Sequence, residues 1–232
     1  MPCILHIETS TEICSVGISE NTKLIHYEEV AKPMSHASML GVFIKKAMEY
    51  LDKAGKKINA VAISCGPGSY TGLRIGTSMA KGLCYGLDIP LIAVSTLKAM
   101  TVNLIREKQY EDCLFCPMID ARRMEAYTAL YNNALKTIKD TSATIVEENT
   151  FSDLLTTNKI VFFGNGSEKC KSVITHPNAI FIDNIHPTAK NMLNLALEKY
   201  NQSQFEDIAY FEPYYLKDFV ATTPKNKFQQ HA

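Results

Sequence analysis

Apolar and polar positions follow a pattern that occurs twice along the chain. Cys3 to Glu8 is a short apolar run that predicts a strand. Cys14, Val16 and Ile18 alternate with polar neighbours, the two-residue period of a half-buried second strand, and Lys23 to Val30 predicts a third. Between the first two lies the polar turn Thr9-Ser10-Thr11-Glu12. Leu40, Phe43, Ile44, Ala47, Met48 and Leu51 then recur at helical spacing, with Ser35 as the expected N-cap. A strand at Asn59 to Cys65, a glycine-rich helix from about Thr71 to Gly86, a strand at Pro90 to Val94 and a helix from Ser95 complete the order βββαβαβα.

The second half repeats this order with weaker signals. Strands are expected at Leu114 to Ile119, Glu125 to Tyr131 and Ala143 to Val146, then a short helix near Phe151. A strand at Ile160 to Phe163 ends in Gly164-Asn165-Gly166, with a helix expected from Ser167. A last strand at Ala179 to Ile182 precedes a helix from Thr188 to about Tyr200. The expected fold is therefore α/β, two duplicated lobes whose mixed sheets combine antiparallel hairpins with parallel βαβ units. The expected division is an N-terminal lobe at 1–108, a C-terminal lobe at 109–204 and a tail at 205–232, polar and frayed toward Pro224-Lys225-Asn226-Lys227. Ligands in such architectures sit in the cleft between lobes, facing the first hairpin turn and the glycine loops.

Six of the eleven glycines fall between Gly66 and Gly86, in a block reading Gly66-Pro67-Gly68-Ser69-Tyr70-Thr71-Gly72-Leu73-Arg74-Ile75-Gly76. A glycine inside a helix costs about 1 kcal/mol relative to alanine, so Gly76 and Gly82 need a compensating gain. Either backbone N–H groups cradle an anion at the helix N-terminus, or Gly72, Gly76 and Ala80, four apart, admit another backbone at close range. Close packing is favoured, because the glycines run far beyond the first turn that an anion can reach. The block is no Walker loop, since no Gly-Lys-Ser or Gly-Lys-Thr occurs, and Lys81 comes too late; its GxGxxxG spacing is no dinucleotide fingerprint either.

Composition narrows the classes. With 24 basic and 24 acidic residues in 232, the formal charge is zero, which argues against charge-driven nucleic-acid binding as a sole role. Seven cysteines, an odd number without a recognisable export signal, read as reduced thiols of a soluble cytoplasmic protein, and no apolar run approaches a membrane span. Cys113 and Cys116 form a lone CxxC, but residues three apart on a strand face opposite ways and cannot share a metal. No HExxH and no histidine pair at i, i+4 occurs.

The opening Ile7-Glu8-Thr9-Ser10, the glycine block and Val94-Ser95-Thr96-Leu97 resemble the TsaB (older name YeaZ) family of bacterial tRNA threonylcarbamoyladenosine biosynthesis subunits. Asp120-Ala121-Arg122-Arg123-Met124-Glu125-Ala126-Tyr127, Gly164-Asn165-Gly166 and Glu212-Pro213-Tyr214-Tyr215-Leu216 are similar to that family's later blocks, in order. The resemblance is dense from Ile4 to Met100 and patchy from Thr137 to Asn178.

The resemblance implies the fold of actin, sugar kinases and heat-shock ATPases. It implies a non-catalytic scaffold that pairs with the larger paralogue TsaD, which modifies the adenosine beside the tRNA anticodon. The small ATPase TsaE completes the complex, tRNA is met only through it, and the lone chain is expected to be able to homodimerise. The catalytic paralogue's metal-binding histidine pair corresponds to Thr96 and Met100 here, so metal chemistry is expected to be lost. No cofactor is expected to bind tightly, with ATP or ADP open at the complex interface. Part of the glycine-rich helix and part of Met39 to Leu51 are expected to meet the partner, the candidates being Met39, Phe43, Gly72, Gly76, Met79, Ala80 and Leu83. Glu8 stands where related ATPases carry an aspartate, and a solvated or capping role is expected. Asp120 is its counterpart, with hydrogen bonding to Arg122 or Arg123 as the plain alternative. Gly164 and Gly166 either approach an adenine or ribose or form a simple turn. Two other readings are an ATP-dependent phosphotransferase, using Asp120 and a phosphate loop at Thr9 to Glu12, and a metallopeptidase.

Overall fold

The computed structural model describes residues 1–32, 36–105 and 110–217. The expected cap Ser35, part of the expected lobe boundary and the Pro224–Lys227 stretch lie outside them. The chain runs β1 (Cys3–Glu8), β2 (Ile13–Glu20), β3 (Lys23–Ala31), α1 (His36–Lys53), β4 (Ala60–Ser64), α2 (Tyr70–Leu87), β5 (Leu91–Val94) and α3 (Thr96–Ile105). It continues β6 (Cys113–Asp120), β7 (Glu125–Tyr131), β8 (Thr137–Ile145), α4 (Ser152–Leu155), β9 (Lys159–Phe163), β10 (Ala179–Ile182) and α5 (Leu193–Asn201).

The first sheet has the order β3-β2-β1-β4-β5 and the second β8-β7-β6-β9-β10, so both follow one topology, 3-2-1-4-5 in their own strand order. In each, the first strand pairs antiparallel with the second and parallel with the fourth. The parallel strands β1, β4 and β5 are buried along their whole length, as strands covered by helices on both faces are. The outer strands β3 and β8 carry Glu28 and Glu29, and Lys139 and Asp140, charges that protect free sheet edges. β8 begins six residues before the apolar positions that reveal it, because its exposed first half has no buried face to impose alternation.

One face of the first sheet, with Leu5, Ile7, Val16, Val61 and Ile63, packs on α1 and on Ala80 and Cys84 of α2. Its other face, Ile4, Ala60, Ala62, Ile92 and Val94, is covered by Ala99 of α3 and by Met192 and Ala196 from the far end of the chain. Meanwhile Leu97, Met100 and Leu104 of α3 pack on Phe115, Ile119, Val161 and Phe163 of the second sheet. The last described helix thus covers the first sheet, and the helix closing the first half lies against the second. Cys113 and Cys116 fall on opposite faces of the second sheet, as their spacing requires.

Two expected elements differ. The helix after Gly166 is reduced to a 3-10 turn at Glu168–Cys170. The last helix starts at Leu193, preceded by a 3-10 turn at Ala189–Asn191 in which Thr188 and Asn191 cap each other. The segment from Phe205 to Lys217 is strapped onto the body. Glu206 N–H donates to Leu91 O at 2.9 Å and Tyr214 N–H to Cys65 O at 2.7 Å. Lys81 Nζ donates to the carbonyls of Ala209 and Phe211, both at 3.1 Å. Among the described residues no helix is long and apolar enough to cross a membrane.

Candidate functional site

The glycine block closes on the chain's own first turn. A Cβ on Gly68 would stand 2.4 Å from Ser10 O, one on Gly72 2.1 Å from Thr9 O, and one on Gly76 2.3 Å from Thr9 Oγ1. These distances leave no room for a side chain, so helix α2 and the β1–β2 turn touch backbone to backbone. Ser69 N–H donates to Ser10 O at 2.7 Å, and Thr9 Oγ1 donates to Gly72 O at 2.9 Å. Ser69 caps the helix, accepting from Gly72 N–H at 3.2 Å. The packing alternative for the glycines is therefore met inside the chain, and Thr9, Ser10 and Thr11, the would-be phosphate loop, are buried beneath them.

Glu8 is fully buried rather than solvated. Its Oε1 accepts from Ser10 N–H at 2.6 Å, so it does cap the turn. Burial pushes its carboxyl above the ordinary value, opposed by hydrogen bonding from Ser10, Ser64 and Thr9. Beyond it, Ser64 Oγ and Thr96 Oγ1 share a hydrogen bond of 2.6 Å, and Gly66 N–H donates to Thr96 Oγ1 at 3.2 Å. Thr96 is fully buried in this network. Met100 is buried in the second lobe's core with its Cε against Gly164.

Asp120 is exposed at the matching turn of the second lobe. Its Oδ1 accepts from the backbone N–H of Arg122 at 3.1 Å and pairs with Lys169. Among the described residues neither Arg122 nor Arg123 offers it a guanidinium; the lysine, 49 residues away, is out of reach of local sequence reading. Gly164 and Gly166 are required by the chain itself, since a Cβ would stand 2.3 Å from Met118 O and 2.8 Å from the carbonyl carbon of Ile119. Asn165 Oδ1 accepts from Asp120 N–H at 3.1 Å, and its Nδ2 reaches across to Glu12 of the first turn at 3.4 Å. Asn165 thus bridges the Asp120 turn and the first turn of the chain. An open cleft of about 580 Å³ lies elsewhere, lined by Cys65, Ala93, Ser95, Lys199 and the strapped tail. Burial pushes the Cys65 thiol there up to about 11, and those of Cys14 and Cys84 likewise.

The partner-surface candidates divide. Gly72, Gly76, Ala80 and Phe43 are buried against the chain's own core and are not open to a partner in this conformation; Met39, Met79 and Leu83 lie half-buried at the rim. A second stripe of α2 is the one left bare. At Gly82 and Gly86 an added Cβ would meet nothing within 4 Å, and between them Tyr85 is 84% exposed. Leu87 on α2 and Val42 on the neighbouring α1 are each 45% exposed. Sequence reading named the inward glycines because both stripes repeat every four residues.

Two sheets of one 3-2-1-4-5 topology define a duplicated, two-lobe α/β protein. The family model described as "TsaD: tRNA N6-adenosine threonylcarbamoyltransferase" matches residues 28–225. The tRNA threonylcarbamoyladenosine biosynthesis protein TsaB of Escherichia coli K12 is 30% identical, covering 94% of this chain and 96% of its own. That of Haemophilus influenzae is 29% identical over 94% of each. The solved structure of YeaZ from Pseudomonas aeruginosa superimposes with a TM-score of 0.77 at 26% identity, covering 93% of this chain and all of that one. The chain belongs to the TsaB (YeaZ) family, within the wider group described by the TsaD model.

Proposed function

We propose that this chain is the non-catalytic dimerisation subunit of tRNA N6-threonylcarbamoyladenosine biosynthesis, pairing with a larger TsaD paralogue that carries out the transfer. The observation that carries this reading is the bare stripe of α2. Gly82 costs about 1 kcal/mol in the helix interior, and among the described residues nothing stands within 4 Å of an added Cβ at Gly82 or Gly86 to offset it. A helix of a partner docked closely over Gly82, Tyr85 and Gly86, beside Val42, supplies the missing contact. Support for a non-catalytic role comes from Thr96 and Met100, which spend their side chains on internal packing, and from the buried Thr9–Ser10 turn. Within this reading no cofactor is held tightly, any ATP or ADP sits at the subunit boundary, the ATPase TsaE joins the pair, and the assembly works in the cytoplasm. The same stripe serves a homodimer when the partner is absent.

The test is co-purification of the tagged chain with its larger paralogue, with threonylcarbamoyladenosine quantified in the cell's tRNA. Gly82→Leu with Gly86→Leu is expected to leave the fold intact and to cut recovery of the paralogue by about tenfold or more, some 1.4 kcal/mol of binding. Undiminished recovery with a folded variant moves the interface off α2.

A further inference from the structure

Where the strapped tail meets the start of α2, four tyrosines gather. Tyr70, Tyr127, Tyr214 and Tyr215 line one narrow notch of about 30 Å³, together with Pro67 and Lys217. Tyr70 and Tyr215 meet with their rings tilted by 41° at 4.9 Å between centroids, and the Arg74 guanidinium lies 5.4 Å from the centre of the Tyr70 ring. Tyr214 remains 49% exposed and Tyr215 37%.

Beside them is the tip of the β6–β7 hairpin, where Arg122 and Arg123 hold left-handed backbone conformations at φ 73° and 47°. Hydrogen bonds fix that tip: Ala121 N–H donates to Glu125 O and Glu125 N–H to Arg122 O, both at 3.1 Å. The tail is tied to the same hairpin by the Lys217–Glu125 ion pair. The nearby carboxylates Asp120 and Glu125 are engaged by Lys169 and Lys217, leaving Arg74, Arg122 and Arg123 without a carboxylate partner among the described residues. Glu212, whose charge acts on Tyr215, is the acid in the patch without an ion pair among the described residues.

We infer that this patch binds single-stranded RNA directly, unpaired bases stacking on Tyr214 and Tyr215 while the arginines meet the phosphates. Exposed rings beside cations without acid partners suit bases and backbone together. Tyr214 and Tyr215 also border the open cleft of about 580 Å³. The inference rests on the proposed function only in expecting the RNA to be a tRNA loop.

Fluorescence anisotropy on the full chain tests it, with a labelled RNA hairpin bearing an unpaired loop and the blunt duplex of the same stem. The hairpin is expected to bind more tightly than the duplex. Tyr214→Ala with Tyr215→Ala should weaken it about tenfold, and the phenylalanine pair, which keeps the rings, should restore it. Arg122→Ala with Arg123→Ala should flatten the salt dependence by about 1.4 in log–log slope. Equal affinity for hairpin and duplex, or alanine variants that bind like the wild type, overturns the inference. Alanine variants that keep RNA binding but lose the larger paralogue make the patch a protein interface and overturn it too. Tyrosine-dependent hairpin binding by a chain that fails to support threonylcarbamoyladenosine formation sinks the proposed function and leaves this inference standing.

Discussion

Helix α2 carries glycines on two stripes, and the two do opposite things. Gly72 and Gly76 turn inward and meet Thr9 at distances that exclude any side chain. Gly82 and Gly86 turn outward and meet nothing. The first pair is explained by the chain's own packing. The second weakens the helix, and no described residue stands within 4 Å of the space above it. A glycine repeat therefore carries no meaning until the helix face it occupies is known.

The sharpest way to break this contrast is Gly72→Ala, which forces a methyl into Thr9 O. The expected loss is about 3 kcal/mol or more, because backbone cannot step aside as a flexible side chain can. A thermal melt within a degree of the wild type would refute the close approach. Gly76→Leu is expected to destabilise as well, through Thr9 Oγ1 and Ile63, and so reports on the core rather than on a partner.

Next comes acid. The strand beneath the inward stripe holds His6, fully buried, its Nε2 sharing a 2.8 Å hydrogen bond with Ser19 Oγ. Burial lowers its pKa from 6.5 to about 3. The unfolded chain therefore binds the extra proton first, and stability falls as pH drops from 6.5 toward 3. At pH 5 the expected loss is about 2 kcal/mol, visible in urea melts and absent in His6→Gln. Glu8 runs the other way. Its folded pKa is raised above 4.5, so its contribution is complete below that value and is lost as pH rises through the folded pKa. Glu8→Gln should remove that part of the profile and raise Tm at neutral pH, and a lowered Tm there would mean that the ionised carboxylate is needed.

The smallest effect is on the outward stripe. Gly82→Ala and Gly86→Ala should each stabilise the isolated chain by about 0.4–1 kcal/mol, since nothing occupies the space and the unfolded chain loses freedom. Destabilisation of the lone monomer by either would show that the stripe is covered within the chain after all.

Much of this was legible in the chain. The first lobe's βββαβαβα order follows from apolar runs and helical spacing in elements buried on a definite face. Amphipathic pattern reports local period but not the neighbour. It therefore missed that α3 and α5 each cover the other half's sheet, that Lys169 would reach Asp120, and which face of α2 is bare. The helix expected after Gly166 shrank to a single turn, for the glycines there serve contact with Met118 and Ile119 rather than helix growth.

The crossed helices also govern how the chain can be made. The first sheet is laid down early in synthesis, yet its cover over Ile4, Ala62 and Ile92 comes from Met192 and Ala196, far along the chain. An emerging N-terminal half must wait with one apolar face uncovered, held off from aggregation until the last helix leaves the ribosome. Contacts of such sequence separation also slow the search for the native state. Expressed alone, residues 1–105 should be recovered chiefly from the insoluble fraction, whatever the strength of their local signals.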